Sequence, residues 1–327
     1  MWIKMFNAIL TVLYGVGAAL IVYWALNKLA ELLPKKAEER LKPYFYILPA
    51  YLAITVYLLY PAIQTVLNSF QDRASEEWVG LQNYTDLLSS SAFRDTLFNT
   101  LLWMLVVPAA TVVLGLAVAT LADRLKPSTE KLAKTIVFLP MAIALVGAAV
   151  IWDLIYAVRP AGQPQIGLQN AIVTALGFDP INWLQNSTLH LNSFLLMLVL
   201  LWAQVGFAMV LLSAAVKGVP VDTLEAARID GANERKIFFQ VVVPQIKGTI
   251  ITVFITVLIA VMKIFDVVFV MTRGNFNTDV LGNRFFTELN VNFNNGTAAA
   301  VVVMLMVAVI PVMFYQVRHF KAEEANA

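Results

Sequence analysis

The chain has 327 residues, 60% of them hydrophobic and only 13% charged, with a mean hydropathy of +0.74. A soluble domain runs near ~25% charged and ~45–50% apolar, so the composition excludes a soluble domain and a disordered chain, and lipid must cover what no core of this length can bury. The net charge of +2 gives no footprint for nucleic acid; the lack of Cys excludes disulfides, thiol catalysis and Cys-based metal sites, and two histidines, His190 and His319, cannot make a histidine metal cluster.

A spanning helix needs ~20 mostly apolar residues, and seven segments qualify. The first, Phe6–Asn27, is uncharged. It exceeds the ~7–15 residue core of a signal peptide, and a basic segment rather than a small-x-small cleavage site follows it, so a retained helix is expected. The second, Tyr44–Gln71, contains Pro49 and Pro61, and a long loop (72–95) leads to the third, Thr96–Ala122. The fourth runs from Thr135 to Trp152 and on through Asp153 to about Val158. The loop 159–190 then carries IGLQNAIVTALG (Ile166 to Gly177), a short amphipathic pattern stopped by Gly177 and Pro180. It reads as an interfacial helix over the mouth of the bundle, or as a contact for an external partner. The fifth segment is Leu191–Val216; the sixth, Thr249–Thr272, is interrupted by Lys263 and Asp266; the seventh is Thr297–Val317. Only helices and closed barrels satisfy their backbone in lipid, and unbroken apolar runs lack the alternation of barrel strands. The predicted fold is an all-α polytopic membrane bundle of about seven helices.

Orientation follows from Lys and Arg in the loops. The segments after helices one, three and five carry Lys28 to Lys42, Arg124 to Lys134 and Lys217 to Lys247, and Arg318 and Lys321 lie in the tail. The opposite loops hold only Lys4, Arg73, Arg94, Arg159, Arg273 and Arg284. The basic set is expected in the cytoplasm, with the N-terminus outside and the C-terminus inside.

The loop 217–248 reads KGVPVDTLEAARIDGANERKIFFQVVVPQIKG. Asp222 with Glu225 three residues on has capping-box spacing. Gly231 suits a C-terminal stop, and Asn233 suits the cap of a second helix ending near Pro244. Ala226, Ala227 and Gly231 permit close approach by a partner; the alternative reading of the segment is a solvated connector.

This segment resembles the E-A-A motif of ABC importer permeases: E-A-A, three residues, Gly, nine residues, then I-x-L-P. Glu225, Ala226, Ala227 and Gly231 are in register, and Val241 and Val243 replace Ile and Leu before Pro244. The resemblance covers about residues 44–317, through VGLQNYTDLL, FNTLLW, GLQNAIVTALGFDPINWL, FDVVFVMTRG and GTAAAVVV. The chain is similar to carbohydrate-uptake permeases of the maltose and α-glucoside type, except that MTRGNF (Met271 to Phe276) replaces the usual T-x-GGP. The resemblance implies residues 1–43 as an extra helix with a basic cytoplasmic linker, 44–320 as a six-helix permease domain with its coupling loop at 217–248, and 321–327 as a short cytoplasmic tail. It implies a multi-pass protein of the bacterial inner membrane and half of a sugar pathway. Its partners would be a second homologous permease, an ABC ATPase dimer and an extracytoplasmic sugar-binding protein, with no nucleic acid. ATP and Mg would sit on the ATPase, and the chain itself would bind no cofactor and no metal; it has no GxxxxGK[ST] phosphate loop.

Glu225, Ala226, Ala227, Asp230, Gly231 and Pro244 are the predicted coupling residues. Glu225 either caps its own helix or meets a basic group on the ATPase, and Arg228 and Asp230 either pair locally or dock. Lys263 and Asp266, three apart, are expected on one helix face, as an ion pair that fixes packing or as sugar contacts. Gln204 and Phe207 would offer a sugar a hydrogen bond and an apolar face, with Trp202 nearby. Asp153 is read as mostly structural. The competing classes are an ion-driven secondary transporter, which calls for inverted repeats and intramembrane acids, and an intramembrane enzyme, for which GxSxG and HExxH are absent and no catalytic residue is assigned.

Overall fold

In the computed structural model of the chain, residues 2–326 are described in backbone and residues 4–318 in side chains. The side chains of His319 and Lys321 and the end of the tail lie outside the described residues. The helices are α1 (Trp2–Glu31), α2 (Lys35–Ile54), α3 (Tyr60–Asn68), α4 (Gln82–Ser89), α5 (Ser91–Ala122), α6 (Pro127–Phe138), α7 (Leu145–Tyr156) and α8 (Leu168–Ala175). They continue with α9 (Leu191–Lys217), α10 (Val221–Ile229), α11 (Glu234–Lys236), α12 (Val243–Gln245), α13 (Lys247–Met262), α14 (Asp266–Met271), α15 (Leu281–Asn290) and α16 (Asn295–Asn326). Among the described residues there is no strand, only an isolated bridge between Gln71 and Trp78. Five helices are long and apolar enough to cross a membrane, and seven spans result if each of two bent pairs is one.

The chain divides into two compact units between Leu67 and Asn68 rather than at residue 43. The basic segment after the first apolar run is not a linker: α1 ends at Glu31 and α2 starts at Lys35, leaving a three-residue turn. The two helices form a hairpin in which Tyr46 donates to Asn27 at 3.0 Å and stacks on Tyr23 at 6.1 Å. Most of its described side chains are exposed, Phe6, Tyr14 and Trp24 among them, as a helix meeting lipid requires. A π-helical turn, Thr55–Leu59, joins α2 to α3 just before Pro61. Pro61 has no N–H and its ring crowds the carbonyl four residues back; a widened turn relieves that crowding.

In the second unit α5, α9 and α13 pack around Trp103, Val107, Leu196, Leu200, Met209, Val253, Val257 and Val261. Small residues let the backbones close up. A Cβ on Gly115 would stand 2.6 Å from the Ala208 methyl, and one on Gly206 would stand 2.6 Å from the Val137 carbonyl oxygen.

Two expected spans are not single helices. The fourth consists of α6, a 3₁₀ turn at Leu139–Ala142 and α7, bent by 103°. Pro140 interrupts the hydrogen-bond ladder, and Ile143 and Ala144 are extended, with ψ of 130° and 139°. The sixth stops at Met262: Lys263 leaves the helical region and Phe265 has φ −141°. Lys263 and Asp266 therefore do not share a helix face, and no ion pair joins them among the described residues. Instead Lys263 sits at the C-terminus of α13 and Asp266 opens α14. Each charge has the sign that complements its helix dipole.

Gly206 tests the close α9–α6 contact. Gly206→Leu is expected to cost about 1–3 kcal/mol through overpacking and to lower the melting temperature of the purified protein. Gly147→Ala, whose new methyl would find its nearest neighbour at 3.6 Å, is expected to melt like wild type. Equal melting of the Gly206 variant and wild type would mean that the two backbones do not meet.

Candidate functional site

The segment 217–248 folds as an exposed helical hairpin. Its first helix, α10, starts two residues earlier than capping-box spacing implies. Pro220 occupies the N-cap with φ −58° and ψ 132°, and no side chain caps the helix. Proline is pre-set for this entry to a helix. Asp222 falls in the first turn, where its charge suits the dipole, and Glu225 makes no hydrogen bond or ion pair among the described residues. The capping role expected of Glu225 is thus not realised; its carboxylate is exposed and free.

The end of α10 matches its sequence. Gly231 has φ +79°. The Gly231 N–H donates to the Arg228 carbonyl at 3.0 Å and the Ala232 N–H to the Ala227 carbonyl at 3.0 Å, which is the Schellman pattern of bonds. The Asn233 side chain then accepts from the Lys236 N–H at 2.9 Å and caps α11. Arg228 pairs with Glu234 at 3.1 Å rather than with Asp230. A second π-helical stretch, Ile237–Val242, precedes Pro244, repeating the arrangement before Pro61.

The hairpin is mounted on the bundle through one apolar cluster. Val219, Ile237, Val242 and Ile246 are buried, and Leu224, Ala227 and Ala232 from the hairpin pack on them together with Leu116 of α5, Val216 of α9 and Ile250 of α13. The other face of α10 presents Asp222, Glu225, Ala226 and Ile229, spaced i, i+3, i+4 and i+7 and all exposed; Ile229 is 87% exposed. Beside it, Phe238 and Phe239 line a cavity of about 360 Å³ with Arg124 and Arg235. A charged network lies at the same end of α5, α6 and α9. Lys134 pairs with Asp123 and Glu130 at 2.7 Å each and also meets Ser213, and Lys217 pairs with Glu130 at 2.5 Å. Sequence reading missed this network because its members lie in separate segments.

The expected solute-facing residues do not converge on one point. Gln204 is half-buried on α9 with no hydrogen-bond partner among the described residues, and Phe207 packs at the edge of the main core. Trp202 meets Trp152 edge-on at 5.9 Å, and Trp152 lies 5.5 Å from Tyr156. The Trp152 ring N–H is buried without a partner. Lys263 is exposed, makes no ion pair among the described residues, and lines an apolar cavity of about 280 Å³ with Phe265, Leu281, Phe285, Phe286 and Leu305. Asp153 is exposed on α7 and makes no ion pair among the described residues.

The opposite end is tied down by side-chain amides. On α8, whose end at Gly177 (φ +86°) matches the expected stop, buried Asn170 donates to the carbonyls of Ala157 and Ile181 and accepts from the Ile181 N–H and the Trp183 ring. Asn99 of α5 donates to the Asn277 and Asp279 carbonyls, and Asn192 of α9 to the Phe276 carbonyl. These pins hold the tight turn 272–278, in which Arg273, Gly274, Phe276 and Asn277 all have positive φ. Burial pushes the Asp279 carboxyl above the usual carboxylate range, with the Asn283 amide and the Arg284 guanidinium opposing. In the loop 72–80, the N–H groups of Glu76 and Glu77 hold the Asp72 carboxyl below that range.

A profile of the family described as binding-protein-dependent transport system inner membrane component matches residues 111–321. The alpha-glucoside transport system permease protein AglF of Rhizobium meliloti (strain 1021) is 43% identical over 99% of both chains. The osmoprotective compounds uptake permease protein GgtC of Synechocystis sp. is 47% identical over 85% of this chain and 99% of its own. Among solved structures, a bacterial ABC transporter involved in the import of the acidic polysaccharide alginate superposes with a TM-score of 0.73 at 20% identity, covering 88% of this chain and 98% of that one; this likeness concerns the fold.

The hairpin's rigidity rests on its two stops. Gly231→Ala places a side chain in the left-handed region at about 1–2 kcal/mol, and Asn233→Ala removes a cap worth about 1 kcal/mol. Both variants are expected to speed amide hydrogen exchange across residues 221–236 while leaving α5 and α9 protected. Exchange identical to wild type would show that neither residue fixes the hairpin.

Proposed function

The chain belongs to the family of binding-protein-dependent transport system inner membrane components, and from that premise we propose that it is the permease subunit of an ATP-driven sugar importer, forming half of a pathway for a glycoside or oligosaccharide. The observation that carries the reading is the hairpin: a helix with a defined start and stop whose outward face has no partner among the described residues. A connector needs no such face. In this reading α10 seats in a groove of a separate ATPase, which supplies ATP and Mg, and the chain has no ATPase site of its own. Ala226 and Gly231 allow close approach, Ile229 fills an apolar depression, and Glu225 is free to meet a basic group. Pro244 ends the lever where it joins α13.

Movement of the docked helix would pass through the apolar mount to Leu116, Val216 and Ile250, hence to α5, α9 and α13 together. Packed helices respond as rigid bodies, so the solute-facing side of α9, with Gln204, Phe207 and Trp202, and the break at Lys263 and Asp266 would shift as the pathway changes its opening. Lys263 has no internal partner, and an intramembrane cation tends to face a cavity or a partner; a second, homologous permease chain would supply that surface. The Lys and Arg distribution supports the hairpin in the cytoplasm of a bacterium, the N-terminus outside, and a soluble sugar-binding protein meeting the outer loops. The names of the two relatives above, an alpha-glucoside permease and an osmoprotective compounds uptake permease, support α-glucosides as the cargo class.

Vesicles holding this chain with its ATPase and second permease, supplied with the sugar-binding protein, are expected to accumulate α-glucosides only with ATP; accumulation by this chain alone on an ion gradient would overturn the proposal. Ile229→Asp and Ala226→Arg change exposed positions and are expected to leave melting unchanged while weakening co-purification of the ATPase about tenfold or more. Full recovery of the ATPase with both variants would remove α10 from the interface. Gln204→Ala is expected to raise KM for sugar uptake several-fold at equal expression, and unchanged KM and rate would take Gln204 out of the pathway.

A further inference from the structure

We propose that the polar cleft between the first turns of α5 and the segment 274–284 is a binding subsite for the hydroxyl edge of a sugar ring, an inference that rests on the sugar-import reading. The cleft has a volume of about 130 Å³ and is lined by Asp95, Thr96, Asn99, Asn277, Asp279 and Arg284. It lies at the end of α5 remote from Leu116 and the hairpin, on the face where solute arrives in the proposed orientation.

The hydrogen-bond inventory selects the ligand. Asn99 is 1% exposed. Its Nδ2 donates to the Asn277 carbonyl at 2.5 Å and the Asp279 carbonyl at 3.2 Å. Those bonds fix the amide, since the reverse orientation would press an acceptor against two carbonyls. Its Oδ1 is then left buried without a donor. Arg284 spends Nη2 on Glu288 at 2.7 Å, while its Nε is buried and unpartnered. Asp95 is exposed at the rim and makes no hydrogen bond among the described residues. The lining residues therefore carry unmet acceptors and an unmet donor among the described residues.

An anion would face the carboxylates of Asp95 and Asp279, and a bare cation would face the Arg284 guanidinium. A hydroxyl donates and accepts through one oxygen, so two neighbouring hydroxyls donate to Asn99 and Asp95 and accept from Arg284. A water-sized group takes ~30 Å³, so the cleft holds about four such groups. That is one edge of a ring and not a disaccharide. The wall is firm: the Asp279 Oδ1 accepts from the Val280 N–H at 3.0 Å and from Asn283 at 2.7 Å. A Cβ on Gly274 would come within 2.7 Å of that oxygen.

The test uses the complete transporter in lipid vesicles and nanodiscs, with trehalose, sucrose and maltose as probes. Asp95→Ala, which breaks no internal bond, and Asn99→Leu are expected to raise the uptake KM about three- to tenfold with kcat within twofold. Both are also expected to weaken saturation transfer from trehalose in NMR. If Asn99→Leu fails to fold, Asp95→Ala decides alone. Wild-type uptake with an unchanged KM in Asp95→Ala overturns the subsite and leaves the importer reading standing. A melting shift with CaCl₂ that the variants lose, without any effect on sugar, overturns it in favour of a cation site. A wild-type transporter that moves none of the three sugars overturns the importer reading and the subsite with it.

Discussion

Val219, Ile237, Val242 and Ile246 close a small apolar core beneath the exposed hairpin, and its mechanical character depends on them. A helix of nine residues is too short to hold itself in water. α10 persists because Pro220 sets its start, Gly231 its stop, and the apolar side of Leu224 and Ala227 is buried against long helices. The same packing turns the opposite face outward, so exposure of Glu225, Ala226 and Ile229 follows from burial of their neighbours. The lever proposed for this hairpin needs both: a face to be gripped and a base that does not yield.

The bends in the bundle have chemical causes. Each π-helical stretch ends just before a proline, Pro61 in one case and Pro244 in the other. Pro140 stands at the 103° bend between α6 and α7. The break after Met262 has no proline; a cation closes one helix and an acid opens the next. Breaking a helix at membrane depth exposes backbone groups that lipid cannot satisfy, so such a break belongs where protein or a water-filled cavity adjoins it. Lys263 and Asp266 mark that place more by the ends they occupy than by any bond between them.

Much of this was legible in the sequence because apolar length and turn chemistry are local properties. The long helices from Ser91, Leu191 and Asn295 lie where uncharged runs place them; Gly177 and Gly231 stop helices because glycine, lacking a Cβ, takes up positive φ, and the Asn233 side chain caps one. What was not legible depends on contacts between distant segments. The spacing of Asp222 and Glu225 is that of a capping box, but Pro220, two residues earlier, sets the helix start first. Lys134 meets Asp123, Glu130 and Ser213 only after three helices have packed. Asn99 and Asn192 offered a hint, as amides at the ends of apolar runs, yet nothing local says which carbonyls they will hold. The hinge after Met262 was hidden for a related reason: helical spacing alone puts Lys263 and Asp266 on one face, and dipole ends matter only once the helix has stopped.

The two ends of the second unit solve different problems with different chemistry. At the hairpin end, apolar contacts and an ion network join helices firmly while leaving α10 free on one side, which suits a part that must transmit force. At the other end, Asn99, Asn170 and Asn192 stitch loops to helices through backbone carbonyls. Such bonds are directional and fix a loop's shape without a large apolar core. The turn 272–278, with four residues at positive φ, would relax if those amides let go. Its conformation is therefore set by α5 and α9, the two helices that the hairpin also grips through Leu116 and Val216. A displacement of either helix at the lever end would reach the turn through Asn99 or Asn192, so in the proposed importer the two faces of the membrane are coupled through α9 and through α5, which runs unbroken past Pro108 between the hairpin mount and the pinned turn.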